Sequence, residues 1–180
     1  MKKKNAKKIK VYYARAVYGE DEIKAVAGLL SSGKPLAGGV YTKEFEERIA
    51  KIFGKKFGVM VNSGSSANLI AVELLNLSRG AEVITPVLTF GTTLAPLVQK
   101  GLVPVFADVG EGTYLIDISQ IEKLITKKTK AMLIPSLMGN IPDLERLKKI
   151  AKKHKLYFIE DSCDTLGATF NGKPTGFYSD

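Results

Sequence analysis

Cysteine and histidine occur once each among the 180 residues, and tryptophan not at all. One cysteine, Cys163, excludes an internal disulfide framework and fits a reducing compartment, so a cytoplasmic location is expected. It also leaves no material for a Cys/His metal centre, and no metal ligand set is expected. Cys163 itself reads as a small buried hydrophobe. His154 lies in KKHK at 152–155, at the end of a predicted helix. A cation favoured by the helix dipole is its simplest role there. With that histidine so placed and no G-x-S-x-G string, hydrolase triads lack their parts. No apolar run approaches the ~20 residues that span a bilayer, and no apolar stretch of a secretory signal follows the basic N-terminus.

Acidic residues are missing from one region only. The first ten residues hold six lysines (Lys2, Lys3, Lys4, Lys7, Lys8 and Lys10) and no carboxylate. The net charge of +9 is therefore mostly a terminal feature, since the remaining chain carries only a small positive excess. A solvated, disordered tail over 1–12 is expected rather than a nucleic-acid arm, because no aromatics interleave with the lysines. No nucleic-acid partner and no membrane association are expected.

What is present is an ordinary globular composition, 45% apolar and 25% charged, in a chain long enough for one sizeable core. Ile23, Val26, Ala27 and Leu30 form a helical stripe over 20–32, with Gly33 as its stop. A flexible KPLAGG loop at 34–39 precedes a second helix, capped by Thr42, carrying Phe45, Ile49, Ile52 and Phe53 and ending at Gly54. Short apolar runs and helical stretches then alternate. Strands are expected at 58–61, 82–85, 103–109, 131–135 and 156–160. Helices are expected at 66–77, 92–100, 117–125 and 143–153, with Asp117 and Gln120 at capping-box spacing. Asn171-Gly172 predicts a type I′ hairpin turn. This alternation predicts an α/β fold, a three-layer sandwich around a mostly parallel sheet.

Two segments carry candidate chemistry. Residues 62–67 (NSGSSA) follow a predicted strand and open a helix. Gly64 lets the backbone approach a ligand, and the first helical amides are free donors for an anion, with Ser65 and Ser66 adding hydroxyls. A plain N-cap turn would use the same residues. Asp161 ends the apolar run LYFIED at 156–161, where buried parallel strands deliver functional groups. It could be a core carboxylate held by backbone amides, or the anion that keeps a pyridinium nitrogen protonated. Glu160 should face the other side of the strand. Asp164 could reach the same pocket after a turn. Phe90, just past the 82–85 strand, could pack in the core or stack on a flat ring. A phosphate cradle, an aromatic and a strand-end aspartate together suggest pyridoxal 5′-phosphate or pyridoxamine 5′-phosphate.

The strings VMVNSGSSA at 59–67, GAEVITP at 80–86, VPVFADV at 103–109, TKAMLI at 129–134 and IED at 159–161 resemble the DegT/StrS sugar aminotransferase family of fold type I pyridoxal phosphate enzymes. The resemblance runs from about residue 17 to 180. It implies a PLP-dependent transferase-like large domain in which Gly64, Ser65 and Ser66 take the phosphate, Phe90 stacks on the ring and Asp161 pairs with its nitrogen. The aminotransferases usually carry glutamine where this chain has Asp164 and histidine where it has Leu166. The strings NSGSSAN at 62–68, MGN at 138–140 and EDSCDTLG at 160–167 are closer to the CDP-4-keto-6-deoxyglucose 3-dehydrase branch. Ser136 departs from both, where a histidine is expected.

By the same resemblance, 13–180 is the N-terminal part of the large domain, truncated, with the small C-terminal domain absent. The catalytic Schiff-base lysine, or the histidine that replaces it in the dehydrase branch, would lie beyond Asp180, as would the cysteines of a 2Fe–2S cluster. Lys173, in the predicted hairpin, is a poor substitute. The implied function is a PLP- or PMP-dependent nucleotide-sugar dehydrase of deoxysugar or surface-polysaccharide biosynthesis, homodimeric, with a reductase partner. A glutamate-using nucleotide-sugar aminotransferase and a non-catalytic interaction module are the alternatives. The chain alone is expected to be inactive.

Overall fold

Tyr12 and residues 14–180 are described in a computed structural model, so the expected tail over 1–12 falls almost wholly outside the described residues. The chain divides into two compact units, 1–42 and 43–180. In the first, helix α1 spans Glu20–Ser31. The Gly19 amide donates to Glu22 Oε2 at 2.7 Å, closing its first turn, and Gly33 at φ 65° ends it in the left-handed region that glycine tolerates.

Helix α2, Val40–Ile52, starts two residues before the expected cap and runs into the second unit. Four parallel strands follow: β1 Glu82–Pro86, β2 Val103–Ala107, β3 Thr129–Pro135 and β4 Tyr157–Asp161. They lie in the order β2-β1-β3-β4. The connecting helices are α3 Gly64–Leu74, α4 Gly91–Gln99, α5 Ile118–Leu124 and α6 Leu144–His154.

Strand alternation builds two cores. Val83, Ala131 and Leu133 face one way and pack with Val72 of α3 and Leu97 of α4. Ile84, Met132, Ile134 and Phe158 face the other way, against Ile121 of α5 and Leu144, Leu147 and Ile150 of α6. This is the expected three-layer α/β arrangement, since a sheet buried on both faces can be apolar at every position. The chain passes from β1 outward to β2 and then returns to place β3 on the other side of β1. In sheets of this kind the carboxyl ends of the strands flanking such a reversal, here β1 and β3, are where ligands bind.

Three local expectations are corrected. The 58–61 segment has no regular secondary structure and pairs with no strand among the described residues. Its recorded anchor is the Met60 amide donating to Glu46 Oε1 at 2.8 Å. A β-strand requires a partner, which apolar alternation cannot supply. Asp117 does cap α5, accepting from the Ser119 amide at 2.9 Å, but the reciprocal half of the capping box does not form. Gln120 Oε1 instead accepts from the Asp108 amide at 3.1 Å, while the Asp117 amide donates to Asp108 O. Cys163 is exposed rather than buried.

The Asn171-Gly172 turn is as expected. It joins β5 Thr169–Phe170 to β6 Lys173–Pro174 in antiparallel register, with φ of 47° and 72° at its two central residues.

Candidate functional site

The start of α3 comes first. Ser63 adopts extended backbone, and its Oγ accepts from the Ser66 amide at 3.2 Å while donating to Ser66 Oγ at 3.2 Å. The Ser63 carbonyl takes the Ala67 amide. No acceptor is recorded among the described residues for the Gly64 and Ser65 amides. Two free N–H groups, exposed serine hydroxyls and the positive end of an eleven-residue helix are what a phosphate needs. The Ser63 cap leaves the Gly64 and Ser65 amides free, so capping does not compete with anion binding there.

β4 brings Asp161 to the same region. Its Oδ2 accepts from Asn68 Nδ2 of α3 at 2.9 Å and from Thr93 Oγ1 of α4 at 3.1 Å. Oδ1 receives only the Cys163 amide, at 3.3 Å. Asp161 is thus held mainly by side chains, not by the backbone cage of a purely structural carboxylate. β3 and β4 end level, with Pro135 opposite Asp161, and the Ser136 amide donates to Asp161 O at 3.0 Å. Asn68 lies one helical turn beyond Gly64, a rise of about 6 Å. An anion site and a carboxylate separated on that scale fit a phosphorylated pyridine, and Asp161 Oδ1 retains acceptor capacity for a ring N–H.

Phe90 is the N-cap residue of α4, with 69% of its surface exposed. It is not a core phenylalanine and has a free face for stacking. Thr93 ties this residue to the site, since its amide donates to Phe90 O at 2.9 Å and its hydroxyl to Asp161. Two threonine hydroxyls nearby in sequence, Thr85 Oγ1 and Thr89 Oγ1, are buried without a partner.

The structure gives Asp164 a specific bond. Its Oδ2 accepts from the Met138 amide at 2.9 Å, holding a 3-10 turn, Leu137–Gly139, in which Met138 sits at φ 56°. Cys163 Sγ lies 3.5 Å from where a Cβ on Gly64 would stand. Desolvation, followed by the charges of Asp161 and Asp164, pushes its thiol above the usual range, which makes it a poor nucleophile. Ser136 is buried and donates to Glu160 Oε1 at 3.3 Å.

Glu160 alternates away from Asp161, as expected, toward a cleft of about 290 Å³ that also involves Lys55, Phe57 and Ser179. None of Ser65, Ser66, Phe90 and Asp161 lines that cleft. His154 Nε2 sits 2.8 Å from Glu122 Oε1 of α5, so its recorded partner is Glu122 and not Asp161. Lys173 Nζ lies 4.1 Å from the centre of the Phe177 ring. Among the described residues there is no cluster of three His, Cys, Asp or Glu fit for a metal ion, and no helix long and apolar enough to cross a membrane.

Residues 17–180 match the DegT/DnrJ/EryC1/StrS aminotransferase family. The chain belongs to that family. A dTDP-4-dehydro-2,6-dideoxy-D-glucose 3-dehydratase of Saccharopolyspora spinosa is 39% identical over 173 residues, covering 92% of this chain and 37% of the relative. A GDP-4-keto-6-deoxy-D-mannose 3-dehydratase of Escherichia coli O55:H7 is 37% identical over 171 residues, covering 92% and 44%. A crystal structure of GDP-4-keto-6-deoxymannose-3-dehydratase with a trapped PLP-glutamate geminal diamine superposes with a TM-score of 0.83 at 35% identity, over 91% of this chain and 44% of that one. The chain thus spans under half the length of these relatives. They bear out the family and the PLP-dependent transferase-like fold expected from the sequence.

Asn68 and Thr93 were not among the residues expected at the site. Asn68 ends the NSGSSAN segment, but nothing in its helical position marks it as reaching a strand-end carboxylate. Buried polar side chains on otherwise apolar helix faces were the available signal, since such groups need partners.

Proposed function

We propose that this chain is the cofactor-binding part of a nucleotide-sugar 3-dehydratase that uses pyridoxamine or pyridoxal 5′-phosphate. The observation that carries the reading is the convergence on Asp161. Two helices hold one carboxylate oxygen at the end of β4, while the other receives only the Cys163 amide, and one of those helices, α3, opens on the Gly64 and Ser65 amides one turn before Asn68. In this reading those amides, with Ser65 and Ser66, bind the phosphate and Phe90 covers a ring face. Asp161 Oδ1 holds the ring-nitrogen proton. Bound there, the cofactor supplies an electron sink for removing a sugar hydroxyl, and the residues of this chain bind and orient it.

Names of relatives support the substrate class: dehydratases of dTDP- and GDP-linked keto-deoxy sugars. A relative named for lipopolysaccharide biosynthesis in Salmonella typhimurium, 40% identical over 153 residues, supports a product used in surface polysaccharide. A homodimeric whole enzyme and a reductase partner belong to the same reading. A nucleotide-sugar aminotransferase is the second reading, favoured by the family itself.

The test has two arms. Titrating the 180-residue chain with pyridoxal 5′-phosphate should induce circular dichroism in the cofactor band, and pyridoxal, lacking the phosphate, should bind at least tenfold more weakly, as a charge-assisted phosphate contact warrants. Asp161→Ala should weaken pyridoxal 5′-phosphate binding by about tenfold or more. Equal binding of both aldehydes would sink the reading.

In the second arm the chain is supplied with dTDP-, GDP- and CDP-linked 4-keto-6-deoxyhexoses. Lys55 Nζ is bonded to the Ser179 and Asp180 carbonyls, and His154 to Glu122. With no lysine or histidine among the described residues bonded to the Asp161 carboxylate, turnover by the chain alone should not exceed that of free cofactor. Clear turnover would mean that a catalytic group lies elsewhere in these residues.

A further inference from the structure

We infer that Asn68 and Thr93 are positioning residues that dedicate Asp161 Oδ2 to the protein and reserve Oδ1 for a ring nitrogen. This rests on the cofactor-site reading above. Asn68 and Thr93 lie in α3 and α4, helices that begin at the phosphate turn and at Phe90 respectively. The Thr93 side chain is fully buried and that of Asn68 is 9% exposed. Each has one recorded side-chain bond, and both bonds go to the same oxygen of Asp161, at 2.9 and 3.1 Å.

Two donors on one oxygen fix rotation about the carboxylate's terminal torsion, which is otherwise broad. The remaining oxygen meets only the Cys163 amide at the long distance of 3.3 Å. A carboxylate oxygen has capacity for a second donor, so Oδ1 is the atom left for a ligand N–H.

The clamp also links the three elements that carry the proposed contacts. α3 brings the phosphate amides, α4 brings Phe90 and β4 brings the carboxylate. Asn68 joins the first to the third and Thr93 joins the second to the third. The expected consequence is discrimination. The clamp should matter for ligands with a protonated ring nitrogen and be indifferent to the phosphate.

The probes are pyridoxal 5′-phosphate, pyridoxal, and 1-deaza-pyridoxal 5′-phosphate, in which a carbon replaces the ring nitrogen. Binding to the 180-residue chain is followed by induced circular dichroism. The unaltered chain should prefer pyridoxal 5′-phosphate over the deaza analogue by about tenfold or more, the scale of one charge-assisted hydrogen bond. Thr93→Val and Asn68→Ala should each reduce that preference to about threefold or less, as expected when a charged acceptor loses its alignment. The preference for phosphate over no phosphate should be unchanged in both. Thr93→Ser, which retains the hydroxyl, should restore the nitrogen preference.

A merely structural role would weaken all three ligands together, and that result overturns the inference. So does a variant that keeps the full nitrogen preference, or an unaltered chain that shows none. Loss of the phosphate preference in the unaltered chain would instead overturn the cofactor-site reading itself. Should one variant fail to fold, the other still decides.

Discussion

Glu160→Gln should stabilise the protein at neutral pH and leave it unchanged in acid. Glu160 Oε2 is buried with no hydrogen-bond partner, and Oε1 has one long contact, 3.3 Å from Ser136 Oγ. The nearest cation is already committed: Lys55 Nζ donates to Ser179 O at 2.7 Å and Asp180 O at 2.9 Å. Burial therefore pushes the Glu160 carboxyl above its usual 4.5, outweighing the nearby hydroxyls and Lys55. A buried acceptor without a partner costs roughly 1–3 kcal/mol, and because Glu160 is incompletely covered the lower end applies, about 1 kcal/mol. Glutamine keeps the shape, removes the charge and adds a donor that can meet the unpartnered Thr175 Oγ1.

The sign follows from the raised value. The folded state binds this proton more tightly than the unfolded state, so stability is full below pH 4.5 and falls as pH rises through the folded value. The glutamine has no such loss. In urea the variant's midpoint at pH 7.5 should rise by about 0.3–1 M, taking a slope of roughly 1–3 kcal/mol/M. At pH 4 the midpoints should coincide, provided both chains remain folded. A lower midpoint for glutamine at pH 7.5 would refute the reasoning, because Lys55 would then be worth more to Glu160 than burial costs. So would a gain of equal size at both pH values.

Gly176→Ala should destabilise by roughly 1–3 kcal/mol in urea melts, as overpacking against a rigid neighbour does. The new Cβ would stand 2.4 Å from the Phe53 carbonyl oxygen and 3.1 Å from Phe53 Cβ, so backbone must move. Glu122, bonded to Lys153 and His154, is held down to about 2. Its carboxyl NMR titration should therefore fall well below the ordinary 4.5, with the associated stability present above that value and lost as pH drops toward about 2; a midpoint near 4.5 would contradict the paired geometry.

The parts of the fold that were legible are those whose cause is local. β3 and β4 read as strands because a sheet covered on both faces accepts an unbroken apolar run, and the AMLI residues at 131–134 need no alternation. The Asn171-Gly172 turn was legible because two positive φ values in a row admit few residue types. The segment at 58–61 has the same composition as a strand, yet strand pairing is a property of two segments, and only one was visible in the string. Gln120 shows the same limit on a smaller scale. Its spacing from Asp117 suited a capping box, but the Asp108 amide, twelve residues away, competes for its side-chain oxygen and holds it.

The site divides along the same line. Asp161 could be found because a carboxylate at the end of an apolar run is costly and therefore conspicuous. Ser63 through Ser66 could be found because helix starts have their own residue preferences. Asn68 and Thr93 could not, since their common partner lies 93 and 68 residues further along the chain. A buried asparagine announces that it has a partner but not which one. Asp164 carries the converse lesson: near Asp161 in sequence, it spends one carboxylate oxygen on the Met138 amide, 26 residues upstream. Adjacency in sequence suggested a shared pocket, whereas the left-handed backbone at Met138 had a demand for an acceptor that only the folded chain reveals. These long-range bonds commit one oxygen of Asp164 to the Met138 loop and one oxygen of Asp161 to α3 and α4. The clamp on Asp161 Oδ2 is therefore the place where a substitution remote in sequence should change what the site can recognise.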